Sequence, residues 1–177
     1  MNLDFVHDYA RKAHEGQVRK YTGEPYVEHC IAVARLFQTM GPVNAKALYA
    51  AVLHDTVEDT DITFDDLRRD FDDTIAEYVW YLTKPESFVG DRAQRKALDR
   101  ARLALAPDDV KFVKICDIMH NAGSIKEHDP EKWESWRDEM ILLLDAMKAH
   151  HVWKSNAMYQ FVNHYDRWVE TVLLGDK

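Results

Sequence analysis

The stretch ALYAAVLHDTVEDT, residues 47–60, joins an apolar run to one histidine and three acids. These polar residues are His54, Asp55, Glu58 and Asp59. If the helix continues, residues four apart share a face, so His54 lies over Glu58 and Asp55 lies over Asp59. Three carboxylates in close quarters repel one another, and burying them unpaired is unfavourable. A divalent cation would neutralise this charge, so the pattern predicts a metal site.

Two further residues elsewhere in the chain have the chemistry of metal ligands. His29 follows TyrValGlu at the start of an apolar helical stretch, and Asp117 lies inside VKICDIMHN, residues 113–121. A histidine or an aspartate in apolar surroundings needs a polar partner. With His54 and Asp55 they would supply two imidazoles and two carboxylates, a set that suits Mn²⁺, Fe²⁺, Zn²⁺ or Mg²⁺. This mixed set is typical of a catalytic site, because closed structural zinc sites favour cysteines.

The elements that would position these residues are all predicted to be helices. Apolar residues recur at helical spacing along most of the chain, and no segment has a convincing strand pattern. Thr63 with Asp66 predicts a helix start with an acidic capping box. The sequence therefore predicts an all-α, compact bundle forming one domain over residues 1–177, with 150–177 as a C-terminal helical extension. The predicted helices cover about 2–15, 27–40, 45–58, 64–70, 73–83, 91–105, 108–121, 130–149 and 152–174.

Composition excludes several classes of function. The net charge of −8 argues against a nucleic-acid binder, although metal or local cations could still hold a small anion. No apolar run approaches the length of a membrane span, and the first residues do not resemble a secretory signal. Two cysteines suggest a reducing compartment. We therefore expect a cytoplasmic protein that binds neither membranes nor nucleic acid.

Three stretches carry a resemblance to a known family. They are AHEGQVRKYTGEPYVEH (13–29), LHDTVEDT (53–60) and VKICDIMHN (113–121), and RAQRKALDRARLALA (92–106) is a weaker fourth. In this order they resemble the HD-domain metal phosphohydrolases, and more narrowly the hydrolase domain of the RelA/SpoT alarmone enzymes and their small stand-alone relatives. The resemblance spans about residues 1–145.

The resemblance implies a reaction and a set of metal and catalytic residues. The family reaction removes the 3′-pyrophosphate from guanosine tetra- or pentaphosphate, and Glu58 and Asp59 would work on the attacking water and the leaving oxygen. Because these two acids are adjacent, each discourages ionisation of the other, and one can hold a proton for acid catalysis. The implied ligands of Mn²⁺, or of another divalent metal, are His29, His54, Asp55 and Asp117.

The resemblance also implies four contacts with a nucleotide substrate. Arg19 and Lys20 would lie against the nucleotide, Lys114 near phosphate and Asn121 near the ribose. Arginine supplies a planar fork and lysine a point charge, and both suit phosphate. Such local cations reconcile a polyanionic substrate with an acidic protein.

Departures from the family pattern leave alternative functions open. They affect the neighbours of the proposed ligands and contacts, namely Cys30, Ile118, Ala122 and Gly123. The first alternative is a metal phosphohydrolase acting on another nucleotide, and the second is a non-catalytic nucleotide-binding regulator. Intact Glu58 and Asp59 argue against the second.

Other polar and aromatic groups have ordinary structural interpretations. His14 and His120 are predicted to make orienting hydrogen bonds rather than to bind metal. A row of basic residues within 92–102 is predicted to be a solvated helix face. The alternative is that one of these residues contacts a phosphate. The aromatic residues of the C-terminal third are expected to fill the core, while a homo-oligomer face or a pocket wall remains open. The row of basic residues consists of Arg92, Arg95, Lys96, Arg100 and Arg102.

Overall fold

The computed structural model describes residues 2–40, 44–84, 91–149 and 167–175, and within these ranges the chain is all-α. The only strand-like pairing in them is an isolated antiparallel bridge between Val18 and Pro25. The predicted fold class is therefore confirmed. The helices are α1 (Leu3–Ala13), α2 (Val27–Met40), α3 (Ala45–Leu53), α4 (Thr56–Asp59), α5 (Phe64–Asp70), α6 (Asp73–Leu82), α7 (Arg92–Ala104), α8 (Asp108–His128) and α9 (Pro130–Ala149), followed by a π-helical segment, Val169–Leu173.

Helix α3 lies at the centre of the bundle. Six of its nine residues are buried, three of them alanines, and it packs against α1, α2, α6 and α8. Since apolar residues surround its axis, the helix is stable only when its neighbours cover it on several sides. Its C-terminal end therefore lies inside the protein, and His54, the next residue, is fully buried.

Helix α8 packs against α2 and α3 on one side and against α9 on another. Helix α9 packs against both α7 and α8, and Trp133 of α9 is buried in the core, as predicted for the aromatic residues. Leu173 of the π-helical segment is also buried. Most of the predicted helix 152–174, and most of the extension 150–177, lie outside the described residues, so the single-domain assignment stays a prediction.

Local sequence signals set several helix ends. Helices α2 and α5 have the predicted bounds, 27–40 and 64–70. The Thr63 hydroxyl accepts from the backbone N–H of Asp66, and the Asp66 carboxylate accepts from the backbone N–H of Thr63. This capping box is confirmed, and it satisfies two N–H groups that the first helical turn leaves unpaired. None of the described helices has both the length and the apolar character that crossing a membrane requires.

Two predicted helix bounds were wrong. The helix predicted over 45–58 is interrupted after Leu53, and α4 is a separate turn. Helix α8 continues past Asn121 to His128, so Asn121 does not cap its end.

Gly123 lies within α8, where a glycine costs about 1 kcal/mol relative to alanine. Burial of Ala122 and Ile125 on either side offsets that penalty.

Candidate metal centre

The interruption between α3 and α4 is produced by side chains that bond to backbone carbonyls. Nδ1 of His54 donates to the carbonyl of Ala51 at 2.8 Å, and the Thr56 hydroxyl donates to the carbonyl of Leu53 at 2.7 Å. Such local bonds compete with the regular helical pattern and bend the chain. As a result, Nε2 of His54 lies 3.1 Å from Oδ2 of Asp55. Two adjacent residues thus present donor atoms to one point, which an unbroken helix would separate.

Two other helices bring the remaining predicted ligands to the same point. Nε2 of His29, on α2, lies 3.5 Å from Oδ2 of Asp55. Oδ1 of Asp117, on α8, lies 3.2 Å from Nε2 of His29 and 3.8 Å from Nε2 of His54. The structure therefore brings all four predicted ligands together.

The donor atoms fit a cation. Because the Ala51 carbonyl can only accept, Nδ1 of His54 donates to it, and Nε2 is the ring nitrogen that faces the carboxylates. That atom is buried and has no hydrogen-bond partner, although it faces a carboxylate oxygen of Asp55. This nitrogen and the carboxylate oxygen need a positive charge between them, which either a proton on Nε2 or a metal ion supplies. Donor atoms of His29, His54 and Asp55 all lie within 4.8 Å of one another, which suits a divalent metal.

The electrostatics of the cluster favour a bound positive charge. Burial lowers the pKa of His54, but Asp55 and Asp117 outweigh burial and raise it to about 10. Burial raises the pKa of Asp55, but the charge of His54 holds that pKa below its usual value. The pKa of Asp117 is likewise lowered against the effect of burial, chiefly by Lys114. Both carboxylates therefore stay ionised and attract a cation.

Two of the four predicted substrate contacts bind Asp117, and a third binds one of those two. Nζ of Lys114 lies 2.7 Å from Oδ2 of Asp117, and Nδ2 of Asn121 donates to Oδ1 at 2.6 Å. The Arg19 guanidinium donates to Oδ1 of Asn121 at 3.1 Å. Residues 114, 117 and 121 share one face of α8, so a single helix supplies a cation, a candidate ligand and an amide.

The loop before α2 holds Arg19 and directs Lys20 elsewhere. The Arg19 N–H donates to the carbonyl of Glu24, and the N–H of Gly23 donates to the carbonyl of Arg19. Gly23 has a φ of 71°, a left-handed conformation that glycine adopts without strain. Lys20 lies over the ring of Tyr21 and 3.5 Å from Asp129, so the structure does not bring it to the four ligands.

The two predicted catalytic acids have different surroundings. Glu58 binds Lys84 through both oxygens, with Nζ at 2.7 Å and the backbone N–H at 3.0 Å. Burial and the negative charge of Asp55 raise the pKa of Asp59. Asp59 therefore holds a proton more readily than an ordinary aspartate. The backbone carbonyl of Asp59 accepts from Gln17 at 2.6 Å, which ties α4 to the loop before α2.

The structure places Tyr26, His120 and Lys84 beside the predicted site residues, and the sequence had indicated a role only for His120. The Tyr26 hydroxyl donates to Oδ2 of Asp55 at 2.8 Å, and Nδ1 of His120 lies 2.9 Å from Nδ1 of His29. Tyr26 lies within the motif AHEGQVRKYTGEPYVEH, and its place in that motif could have indicated a role at the site. His120 was expected to make an orienting hydrogen bond, and its contact with a candidate ligand is of that kind. No local pattern marks Lys84, because it reaches Glu58 through tertiary structure.

Replacing Tyr26 with phenylalanine should weaken metal binding without unfolding the protein. The change removes the hydroxyl that orients Asp55 and keeps the ring. Loss of such a supporting hydrogen bond typically lowers metal affinity or activity about 10–100-fold. Titration calorimetry with Mn²⁺ would measure the effect, with Tyr81→Phe as the matched control. Equal metal affinity in the two variants would contradict this role for Tyr26.

Comparisons with known proteins identify relatives over most of the chain. The chain is 35% identical over 152 residues to a GTP pyrophosphokinase of Streptomyces coelicolor. This alignment covers 85% of this chain but 18% of that protein. It is 33% identical over 132 residues to the guanosine-3′,5′-bis(diphosphate) 3′-pyrophosphohydrolase of Danio rerio, covering 73% of this chain and 72% of the relative. The chain thus spans about a fifth of the length of the pyrophosphokinase and most of the length of the hydrolase.

Solved structures show the same fold. A metazoan ortholog of SpoT described as hydrolysing ppGpp superposes with a TM-score of 0.77 at 23% identity, covering 93% of each chain. A protein from Listeria monocytogenes gives a TM-score of 0.64 at 26% identity, covering 88% of this chain and 99% of that one. A sequence model of the HD domain matches residues 7–143, a span that includes every candidate ligand. The family resemblance of the sequence is thereby confirmed, and this chain belongs to the HD-domain family.

Proposed function

We propose that the protein is a metal-dependent hydrolase that removes the 3′-pyrophosphate of guanosine tetra- or pentaphosphate. The observation that carries the proposal is the meeting of two imidazoles and two carboxylates from α2, α8 and the α3–α4 junction. A relative of similar length, 33% identical, is named as a hydrolase of this bond. Donor atoms of His29, His54 and Asp55 converge within 4.8 Å, and Asp117 lies beside them, which supports metal binding over ordinary packing.

The donor set supports a divalent metal, and we propose Mn²⁺, held by His29, His54, Asp55 and Asp117. Imidazole and carboxylate ligands together suit metals of this class. When bound there, such an ion supplies a nucleophile near neutral pH by lowering the pKa of water. The expectation of a cytoplasmic location accompanies this proposal, since a nucleotide substrate and free thiols suit that compartment.

Glu58 and Asp59 are proposed to divide the proton transfers. The raised pKa of Asp59 makes it the better candidate to donate a proton to the leaving oxygen. Glu58 would accept a proton from the attacking water once Lys84 no longer occupies both of its oxygens. Positioned acid–base groups of this kind typically contribute about 10²–10⁴-fold to a rate.

Arg19, Lys114 and Asn121 are proposed to bind the nucleotide beside the metal centre. Lys114 is half-buried against Asp117, and its positive charge would face a phosphate at the same point. Arg19 lies 6.0 Å from the ring centre of Tyr26, and its planar guanidinium can stack against a base. Lys20 is exposed on the same loop and would contribute only by moving away from Asp129.

A product assay separates this function from its alternatives. Mn²⁺-loaded protein would be incubated with guanosine and adenosine nucleotides, with EDTA-treated protein as the control, and the products would be resolved by ion-exchange chromatography. We expect metal-dependent release of pyrophosphate from the 3′ position of the guanosine alarmones. Release of monophosphate alone would instead indicate hydrolysis of another nucleotide. Metal-dependent binding without any product would indicate a regulator.

A further inference from the structure

A cavity of about 300 Å³, separate from the four candidate metal ligands, opens between α7 and α9. None of the four candidate metal ligands lines it. Instead, five cationic side chains surround it, four of them from α7. Positions 92, 95, 96 and 100 follow the spacing of one helical face, so these four charges lie on the same side of α7. The cations are Lys84, Arg92, Arg95, Lys96 and Arg100.

The charge of this cavity is opposite to that of the protein. The chain carries a net charge of −8, yet among the residues that the structure describes five cations and two carboxylates, Asp99 and Glu139, line the cavity. Asp99 is already paired with Arg102, which does not line the cavity, at 2.7 Å. Glu139 pairs with Lys96 and lies 3.7 Å from Arg92. Glu58, which also lies outside the lining, offsets the charge of Lys84, and the described cations still outnumber the carboxylates. This positive excess attracts an anion of more than one charge.

One side of the cavity links it to the candidate catalytic centre. Lys84 lines the cavity, and its ammonium lies 2.7 Å from Oε1 of Glu58. A highly charged anion in the cavity would compete with Glu58 for this ammonium. Met140 and Leu143 of α9 supply an apolar wall, which limits the water available to screen the charges. Guanidinium groups bind phosphate oxygens in pairs, so phosphates are the anions that this lining suits best.

We propose that the α7–α9 cavity binds a diphosphate group and that its occupancy draws Lys84 away from Glu58. Glu58 then becomes available to the attacking water. The anion has two chemical sources, a second diphosphate of the nucleotide substrate or a separate free molecule. Binding itself does not depend on the reaction proposed above, whereas the consequence for Glu58 rests on it.

Titration calorimetry with inorganic pyrophosphate would test binding to residues 1–177 in metal-free form. Without a metal ion, no metal–phosphate bond contributes to the measured affinity. The Arg95→Gln/Arg100→Gln double variant should bind pyrophosphate about tenfold more weakly or worse, as expected for lost charge-assisted contacts. A matched Arg35→Gln/Arg68→Gln variant removes two charges elsewhere and should bind like the wild type. Equal weakening in both double variants would overturn the site, because it would show only an effect of net charge.

The link to Glu58 has its own readout, which needs no turnover. Glu58→Gln removes the charge that holds Lys84, so pyrophosphate should bind more tightly to this variant than to the wild type. Unchanged or weaker binding would overturn the link. In turnover, a raised KM in the Arg95→Gln/Arg100→Gln variant, with pyrophosphate competing against the nucleotide, would identify the substrate as the source of the anion. An unchanged KM, with pyrophosphate altering kcat only in the wild type, would identify a separate molecule.

Discussion

The Asp55→Ala variant is expected to lose both metal binding and turnover. Oδ2 of Asp55 lies within 3.5 Å of Nε2 of both His29 and His54. These three residues form the tightest group of candidate metal ligands. Its removal leaves two imidazoles and Asp117, and it also removes the carboxylate oxygen that accepts from the Tyr26 hydroxyl at 2.8 Å. The loss should exceed the roughly 10–100-fold that removal of a supporting group produces. Elemental analysis of protein dialysed against Mn²⁺, followed by the product assay, would measure it.

Two further variants separate loss of the metal site from unfolding of the protein. Asp55→Asn keeps the size of the side chain and a hydrogen-bond acceptor for Tyr26, but it removes the negative charge that attracts the metal. Asp8→Ala removes an exposed carboxylate from α1 and should behave as wild type in metal content, activity and thermal unfolding. If Asp55→Ala remained folded and kept wild-type metal content and turnover, the assignment of the metal centre would be wrong.

The Glu58→Gln variant is expected to keep the metal and lose most of the activity. Glu58 does not belong to the converging donor set, and its oxygens face Lys84 rather than the imidazoles. Glutamine preserves size and can still accept from the Lys84 backbone, but it cannot act as a base. We therefore expect kcat to fall by about 10²–10⁴-fold, the usual contribution of a positioned general base. Steady-state kinetics beside Mn²⁺ titration would separate the two effects.

The control for Glu58→Gln is Glu77→Gln, which makes the same chemical change at an exposed position of α6. It should leave kcat, KM and metal affinity at wild-type values. Parallel loss of metal and activity in Glu58→Gln would show that Glu58 supports the metal centre instead of transferring a proton. Full activity in Glu58→Gln would remove it from the catalytic machinery.

The helices were predictable wherever local signals determine their ends. The apolar spacing of α2 and the Thr63 capping box of α5 involve residues within a few positions, so the sequence alone contains the information. The interruption after Leu53 was not predictable from apolar periodicity, because bonds from His54 and Thr56 to nearby carbonyls produce it. The length of α8 depends on burial of Ala122 and Ile125, which is a tertiary effect.

The candidate site divides in the same way. His29 and Asp117 could be selected because polar ligand types in apolar surroundings need a partner, and the structure brings both to the 54–55 pair. The contact of Lys84 with Glu58 joins residues 26 positions apart and left no trace in either local sequence. The catalytic and substrate-binding roles stay predictions, since the contacts place the side chains but do not test their chemistry.

The arrangement of residues along α8 also restricts how the chain can change in length. Lys114, Asp117 and Asn121 must point the same way, and each inserted residue turns the following part of a helix by about 100°. A single-residue insertion between Lys114 and Asn121 would therefore rotate members of the trio away from one another, even if every original amino acid were retained. The interval 114–121 should accordingly tolerate no change of length, whereas a change of length in the connections before Asp108 or after His128 leaves this register intact.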